Sequence, residues 1–282
     1  MRLTRSERRI GLATFAVVVL VGSAALLFFP PAVIPLSVGS AAAMLAVISL
    51  RFKNELGARA DEHGRQLRSE IAEGKTQIEE TRALVALQEP RFSPPLPWTG
   101  WSVPPRGLLE ILKTVQEFDA PTIVDCGSGV STLHLARAVR DIGKGRVVAL
   151  EQDAAWAAYV RRLLERNDLQ SWASVVVAPV AEVSLGNRST RWYALAKDAL
   201  PADARVDVLV VDGPTGQDGV LSRYGALPYF WNRLSDRAAV FLDDTMRAEE
   251  QEICRLWREA YPVVETSVGS EHGMSKFTRR DV

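Results

Sequence analysis

Apolar positions follow three different patterns along the chain. Ile10 to Phe29 is an uncharged run of about 20 residues, the length that crosses a bilayer as a helix. Ala32 to Leu50 is a second such run, and Phe29-Pro30-Pro31 breaks the helix between them. The pair predicts a transmembrane helical hairpin. From Asn54 to Gln88 the apolar signal thins to Leu56, Ala60, His63, Leu67, Ile71, Gly74, Ile78, Thr81 and Val85, spaced at three and four residues. That spacing predicts a helix with one weak apolar stripe. Pro90, Pro94, Pro95 and Pro97 end it as a linker. From Trp98 onward short apolar runs alternate with amphipathic segments. Helices are predicted over 103–118, 153–167 and 245–260. Strands are predicted at Ile123–Asp125, Gly145–Glu151, Ser174–Ala178, Arg205–Asp212 and Ala238–Asp244. A closing antiparallel pair is predicted at Val263–Ser267 and Met274–Thr278. Strands apolar throughout and separated by helices imply an α/β domain, a parallel sheet covered on both faces. The expected domains are thus 1–53 hairpin, 54–97 stalk and linker, and 98–282 catalytic-type domain.

Charge refines the membrane end. Arg2, Arg5, Arg8 and Arg9 precede the first span, and Arg51 and Lys53 follow the second. The positive-inside rule puts both termini and the catalytic-type domain in the cytoplasm, with two spans in the cell (inner) membrane and bilayer contact through residues 10–50. Small residues at Gly22-Ser23-Ala24-Ala25 would suit a cleaved signal peptide, but the uncharged run directly after them argues for an uncleaved anchor. The spans hold no ionisable residue, so a transport path is not indicated. The stripe after Asn54 reads as a solvated stalk or as a coiled coil that pairs two copies. Gly64, Gly74, His63 and Thr81 suit a seam poorly and favour the stalk. The chain has 34 Lys and Arg against 34 Asp and Glu, so no net basic field recommends nucleic acid as a partner. Two cysteines, Cys126 and Cys254, are too few for a disulfide framework and read as reduced thiols.

The chemistry concentrates at strand ends. Asp125, Glu151, Asp212, Asp243 and Asp244 all fall at carboxyl ends of predicted strands, the edge where open α/β sheets bind ligands. The first strand runs into Asp125-Cys126-Gly127-Ser128-Gly129-Val130-Ser131-Thr132, a glycine turn opening a helix that Ser131 or Thr132 can cap. A dinucleotide fingerprint would place glycine where Thr132 stands. An acid two residues before the first glycine suits a cationic ligand better than a pyrophosphate. A nicotinamide-dependent (NAD(P)) oxidoreductase is therefore the weaker reading of the turn.

The same stretch resembles motif I of the class I S-adenosylmethionine-dependent methyltransferases, closest to the bacterial methyltransferase-domain group with G-S-G-x-S-T. The resemblance spans about Trp98 to Arg280. It continues through Arg191-Trp192-Tyr193, Val211-Asp212-Gly213-Pro214, Arg223-Tyr224-Gly225-Ala226-Leu227 and Leu242-Asp243-Asp244-Thr245-Met246-Arg247-Ala248-Glu249. It implies a Rossmann-like seven-stranded sheet with its last strand antiparallel. It implies S-adenosyl-L-methionine against Asp125, Gly127, Ser128, Gly129, Ser131 and Thr132. Glu151 would hold the ribose hydroxyls, Gln152 would lie beside the adenine, and Val180 of Pro179-Val180-Ala181 would flank it. For the acceptor's proton two routes stand. Asp212, with Asp243, would act as general base. Alternatively Mg²⁺ or another divalent cation would sit among Asp212, Asp243 and Asp244. Metal-dependent relatives usually carry Asp-Asn where this chain has Asp243-Asp244, and Asp244 can instead cap the helix from Thr245. Trp98, Trp101, Trp192, Tyr193 and Tyr224 are placed in loops near the pocket mouth. Arg223 and Arg247 would meet either an anionic acceptor or the acids. His134 reads as helix packing and His272 as a weak candidate base. The expected function is membrane-anchored methyl transfer to oxygen of a small-molecule or lipid-linked envelope precursor. The second rival is a non-catalytic membrane scaffold that keeps a degenerate methyltransferase fold.

Overall fold

The structure is a computed structural model describing residues 34–88, 91–185, 188–196, 199–201, 203–215 and 221–280, together with Val17, Leu20 and Ala24. The chain divides into two units, Met1–Ala72 and Glu73–Val282. Helix α1 spans Ile34–Leu87, 54 residues without a break at the expected border between second span and stalk. Apart from Val17, Leu20 and Ala24, the first predicted span lies outside the described residues, as does the Pro30-Pro31 turn. Among the described residues no helix is long and apolar enough to cross a membrane.

Within the second unit, α1 does not end as a free stalk. Glu80, Ala83 and Leu87 are buried. Leu87 joins the core that holds Leu108, Ile111 and Val115 of α2 (Pro105–Val115). The Glu80 carboxylate accepts the Arg106 N–H at 2.9 Å and the Glu271 N–H at 2.8 Å. Arg106 also pairs with Glu79 at 2.8 Å. The first turn of a helix has orphan N–H groups, and Glu80 supplies an acceptor that sequence spacing could not foretell.

The remaining elements are β1 Thr122–Cys126, α3 Val130–Ile142, β2 Arg146–Glu151, α4 Ala154–Arg166, β3 Ala173–Val177, β4 Val180–Leu185, β5 Arg188–Tyr193, β6 Val206–Val211, α5 Ala226–Phe230, β7 Leu234–Asp243, α6 Ala248–Ala260, β8 Val263–Val268 and β9 Met274–Arg279, of which β4, β5 and α5 have no counterpart among the predicted elements. The seven-stranded sheet has the order β3-β2-β1-β6-β7-β9-β8. All its pairings are parallel except β7 with β9 and β9 with β8. The closing antiparallel pair is thus where the apolar pattern put it. Helices cover both faces, over one core with Ile123, Leu133, Val160 and Phe241 and another with Val124, Leu209, Phe230 and Trp257.

Three local expectations need correction. Trp192 and Tyr193 lie not in a loop but in the hairpin β4–β5, a separate two-stranded sheet that Val180 opens. Its burial pattern alternates only in part, so no clean two-residue period marks it. Helix α6 begins at Ala248, not Thr245, because Thr245 and Met246 donate backbone N–H groups to Gly273 and His272 carbonyls instead. The cap of α3 is Gly129 rather than Ser131 or Thr132.

Candidate active site

Strand order reverses between β1 and β6, whose ends pair Cys126 with Val211, while Cys126 also pairs with Leu150 of β2. Chains leaving the two strands diverge there and open a crevice at the carboxyl edge. A cavity of about 440 Å³ occupies it, lined by the 127–131 turn, Glu151, Gln152, Trp156, Asp212, Arg223, Asp243, Asp244, Arg247 and His272.

The turn is built on backbone proximity. Gly127 has φ +104°, and a Cβ there would lie 3.3 Å from the Gly213 nitrogen. Beneath the turn, Asp125 is wholly buried. Its Oδ2 accepts from Ser131 Oγ at 2.9 Å and Thr132 Oγ1 at 2.7 Å, while Oδ1 has no partner among the described residues. Thr132 Oγ1 also accepts the Gly129 N–H at 3.0 Å. So Thr132, at the third glycine position of a dinucleotide motif, knits the helix start to the strand end. Burial pushes the Asp125 carboxyl up to about 7; the Thr132 and Ser131 hydrogen bonds oppose this and Glu151 adds to it. Asp125, Thr132 and Val180 do not line the cavity. Val180 opens β4, paired with Tyr193.

Glu151 ends β2 on the cavity wall. Its Oε2 accepts from the Ser128 N–H at 3.1 Å and Ser128 Oγ at 2.9 Å, and its Oε1 accepts the Asp153 N–H at 3.0 Å. Asp153 caps α4, which carries Trp156, and the Trp156 indole N–H donates to the Ser128 carbonyl at 2.7 Å. Trp156 is a wall residue that sequence reasoning passed over. Its only signal was an aromatic one turn into the helix after a strand-end acid. Gln152 lines the same wall and donates to Thr215 Oγ1 at 3.5 Å.

Opposite lie the acids after β6 and β7. One ligand atom each of Asp212, Asp243 and Asp244 falls within 4.8 Å of the others. Arg223 reaches in among them. Its Nη2 stands 3.2 Å from Asp212 Oδ1, and its Nη1 stands 3.0 Å from Asp244 Oδ2, 3.8 Å from Glu250 and 3.2 Å from the Asp243 carbonyl. Arg247 meets Asp244 at 2.9 Å, and His272 Nδ1 lies 3.7 Å from it. Asp244 has φ +63° and does not cap α6; its carboxylate is given to the two arginines. Burial, then the charge of Asp243, raise the Asp212 carboxyl well above its usual range, outweighing Arg223. Burial, then Asp244, push Asp243 up to about 7. Burial works against the Arg223 charge, but Asp212, Asp244, Glu250 and Asp243 more than offset it.

Of the aromatics placed near the mouth, only Trp101 stands exposed on the cavity, at 73%. Trp192, Tyr193 and Tyr224 are buried. The Trp192 ring occupies the space beside Gly225, where a Cβ would come within 2.7 Å of it. The Tyr193 hydroxyl fills the corresponding space at Gly213. Trp98 packs on His134 at 5.9 Å between ring centroids, and Phe92 does so at 4.8 Å. Burial lowers His134 to about 4, so packing is its role. Cys126 and Cys254 are free and buried.

The family described as "Methyltransferase domain" matches residues 124–245, from β1 through the acids after β7. No curated protein matches the chain. Solved structures similar to it include an O-methyltransferase from Bacillus cereus in complex with SAH, at 20% identity and TM-score 0.49, covering 73% of this chain and 91% of that one. The O-methyltransferase TomG from Streptomyces achromogenes, in complex with SAM, is 17% identical at TM-score 0.47, covering 73% and 90%. A methyltransferase from Geobacter sulfurreducens is 21% identical at TM-score 0.43, covering 62% and 78%. Residues 124–245, less than half of the chain, thus match a methyltransferase domain, and the matched stretch holds the β1/β6 switch and the acids at the carboxyl edge of the sheet that line the cavity.

Proposed function

We propose that this protein is an S-adenosylmethionine-dependent methyltransferase, anchored in the inner membrane and facing the cytoplasm, that methylates an oxygen of a small-molecule or lipid-linked envelope precursor. The observation that carries the methyl-donor reading is the cavity at the β1/β6 switch, walled by the Gly127–Ser131 turn on one side and Glu151 on another. The residues fit the donor. Glycine backbone at 127 permits close approach. A Cβ at Gly129 would meet nothing within 4 Å, so the turn stands open there. The Glu151 carboxylate suits a pair of ribose hydroxyls, and Gln152 and Trp156 flank the same wall. Asp212, Asp243 and Asp244 give a cationic sulfonium and amino group a favourable field. Bound donor supplies an activated methyl group, so the protein's task is to align, desolvate and accept a proton.

Asp212 is the proton acceptor in this reading. It lines the cavity at the end of β6, and burial raises its proton affinity above that of an ordinary carboxylate, the direction a proton acceptor needs. Trp101 and Arg247 at the rim favour an acceptor with a flat or sugar-like ring and an anionic group. The membrane anchor rests on the uncharged runs 10–29 and 32–50 and their flanking arginines. Exposed Met44, Leu45, Val47, Ile48 and Leu50 on α1 are consistent with it. Leu67, Ile71, Ile78 and Val85 are also exposed, which leaves a homodimer along α1 as the secondary reading beside the stalk.

Isothermal titration of the full-length protein in detergent with S-adenosylmethionine tests the donor assignment. A saturable one-to-one heat is expected. Folded protein that gives none, while binding a nicotinamide dinucleotide, would return the oxidoreductase reading.

A further inference from the structure

Three acidic side chains whose ligand atoms lie within 4.8 Å of one another match the spread of donors around a hard divalent ion. The cluster nevertheless has its own cation. The Arg223 fork spans Asp212 and Asp244 at 3.2 and 3.0 Å and donates to the Asp243 carbonyl at 3.2 Å. Only 5% of its side chain is exposed, and Glu250 stands 3.8 Å away at its rear. Its neighbours Ser222, Tyr224, Gly225 and Ala226 are buried, so the backbone cannot withdraw it without opening the core. A divalent ion on the same oxygens would sit within a few ångströms of a guanidinium, a like-charge contact in a poorly hydrated place. Ion and guanidinium therefore exclude one another. The Asp243 Oδ1 atom, buried and without a hydrogen-bond partner among the described residues, marks the valence that the guanidinium leaves open.

We infer that Arg223 is the resident cation of this site: its guanidinium holds the place among Asp212, Asp243 and Asp244 that a divalent metal would need, and removing it turns the cluster into a divalent-cation site. Resting on the methyltransferase reading, Arg223 is then a positioning residue. It fixes Oδ1 of Asp212 and offsets part of the cluster's charge, so transfer proceeds without added metal.

The test is titration of full-length protein with MnCl₂, read by the electron-paramagnetic signal of free Mn²⁺. Wild type should show no stoichiometric binding below millimolar concentration. Arg223→Ala should take up one Mn²⁺ per chain at least tenfold more tightly, Asp243→Asn in that background should abolish the gain, and Arg223→Lys should not show it. Stoichiometric binding by wild type that Asp243→Asn removes would overturn the inference. So would a folded Arg223→Ala protein, by circular dichroism, that gains no affinity. If that variant does not fold, the wild-type titration and Arg223→Lys still decide, since metal uptake by either contradicts the assignment. Loss of wild-type methyl transfer in excess chelator would also overturn it. Because Mn²⁺ uptake is read without turnover, failure of the methyltransferase reading and failure of this one are told apart.

Discussion

At the residue scale, Asp125 is the costliest group in the motif. It is wholly buried, satisfied on one oxygen only, and its carboxyl titrates near 7 against 3.8 for an ordinary aspartate. A folded-state value above the unfolded one means the folded state prefers the proton. That preference stabilises the fold fully below about pH 4 and is lost as pH rises through about 7. Asp125→Asn keeps an acceptor for Ser131 and Thr132 and does not titrate. Its melting temperature relative to wild type should therefore climb from pH 4 to pH 8, by the equivalent of roughly 2–4 kcal/mol; a difference constant with pH would refute the titration. Asp212→Asn addresses chemistry instead. It should lower methyl transfer about 10²- to 10⁴-fold while leaving donor affinity within a few-fold. Equal losses in both would reassign Asp212 to binding. Gly213 offers a geometric check, because the Tyr193 hydroxyl occupies the space a Cβ would take. Gly213→Ala should destabilise by about 1–3 kcal/mol, and less so in a Tyr193→Phe background. The Cys126 carbonyl at 3.2 Å keeps that rescue partial. Additive effects in the double-mutant cycle would mean the hydroxyl is not the obstacle.

At the scale of elements, the end of α1 belongs to the unit Glu73–Val282 that holds the sheet. Glu80 is buried and caps both Arg106 and Glu271 N–H groups, so Glu80→Ala leaves two donors without an acceptor. Urea unfolding should show a loss of about 1–3 kcal/mol per the cost of unsatisfied buried donors, with Glu80→Gln recovering part. No loss would mean water replaces the carboxylate. This join was illegible in the sequence. Glu79 and Glu80 sit in a charged helix and look solvated, and their partners lie far along the chain at Arg106 and Glu271. The strands of the sheet were legible for the opposite reason: Val208-Leu209-Val210-Val211 and its like are apolar on both faces, as buried parallel strands must be. The β4–β5 hairpin escaped because Glu182, Arg188 and Arg191 interrupt its pattern.

At the scale of the molecule, the wall holding Gly127–Ser131 and Glu151 could be read from motif spacing, since strand ends and glycine turns are local in sequence, and Gln152 followed from the resemblance. The charge arrangement opposite could not. Arg223 reaches the acids from a separate loop, and only folding decides whether an arginine meets an acceptor or a carboxylate. The two uncharged runs predict a physical partition: the full chain should sediment with membranes and resist extraction at high pH, whereas a chain lacking residues 1–53 should stay in the supernatant. A full chain in the supernatant would remove the anchor from the proposal. Another consequence follows from the two thiols. Cys126 and Cys254 both lie in the core with Val124, Leu209 and Trp257, one at the end of β1 and one on α6. Burial raises the proton affinity of both, so neither reacts from the closed state. A thiol reagent can reach them only when that core opens. Under native conditions its rate of incorporation is therefore a clock for how often the strand end and the helix breathe, and slowing of that clock by S-adenosylmethionine would time how firmly the donor keeps the domain shut.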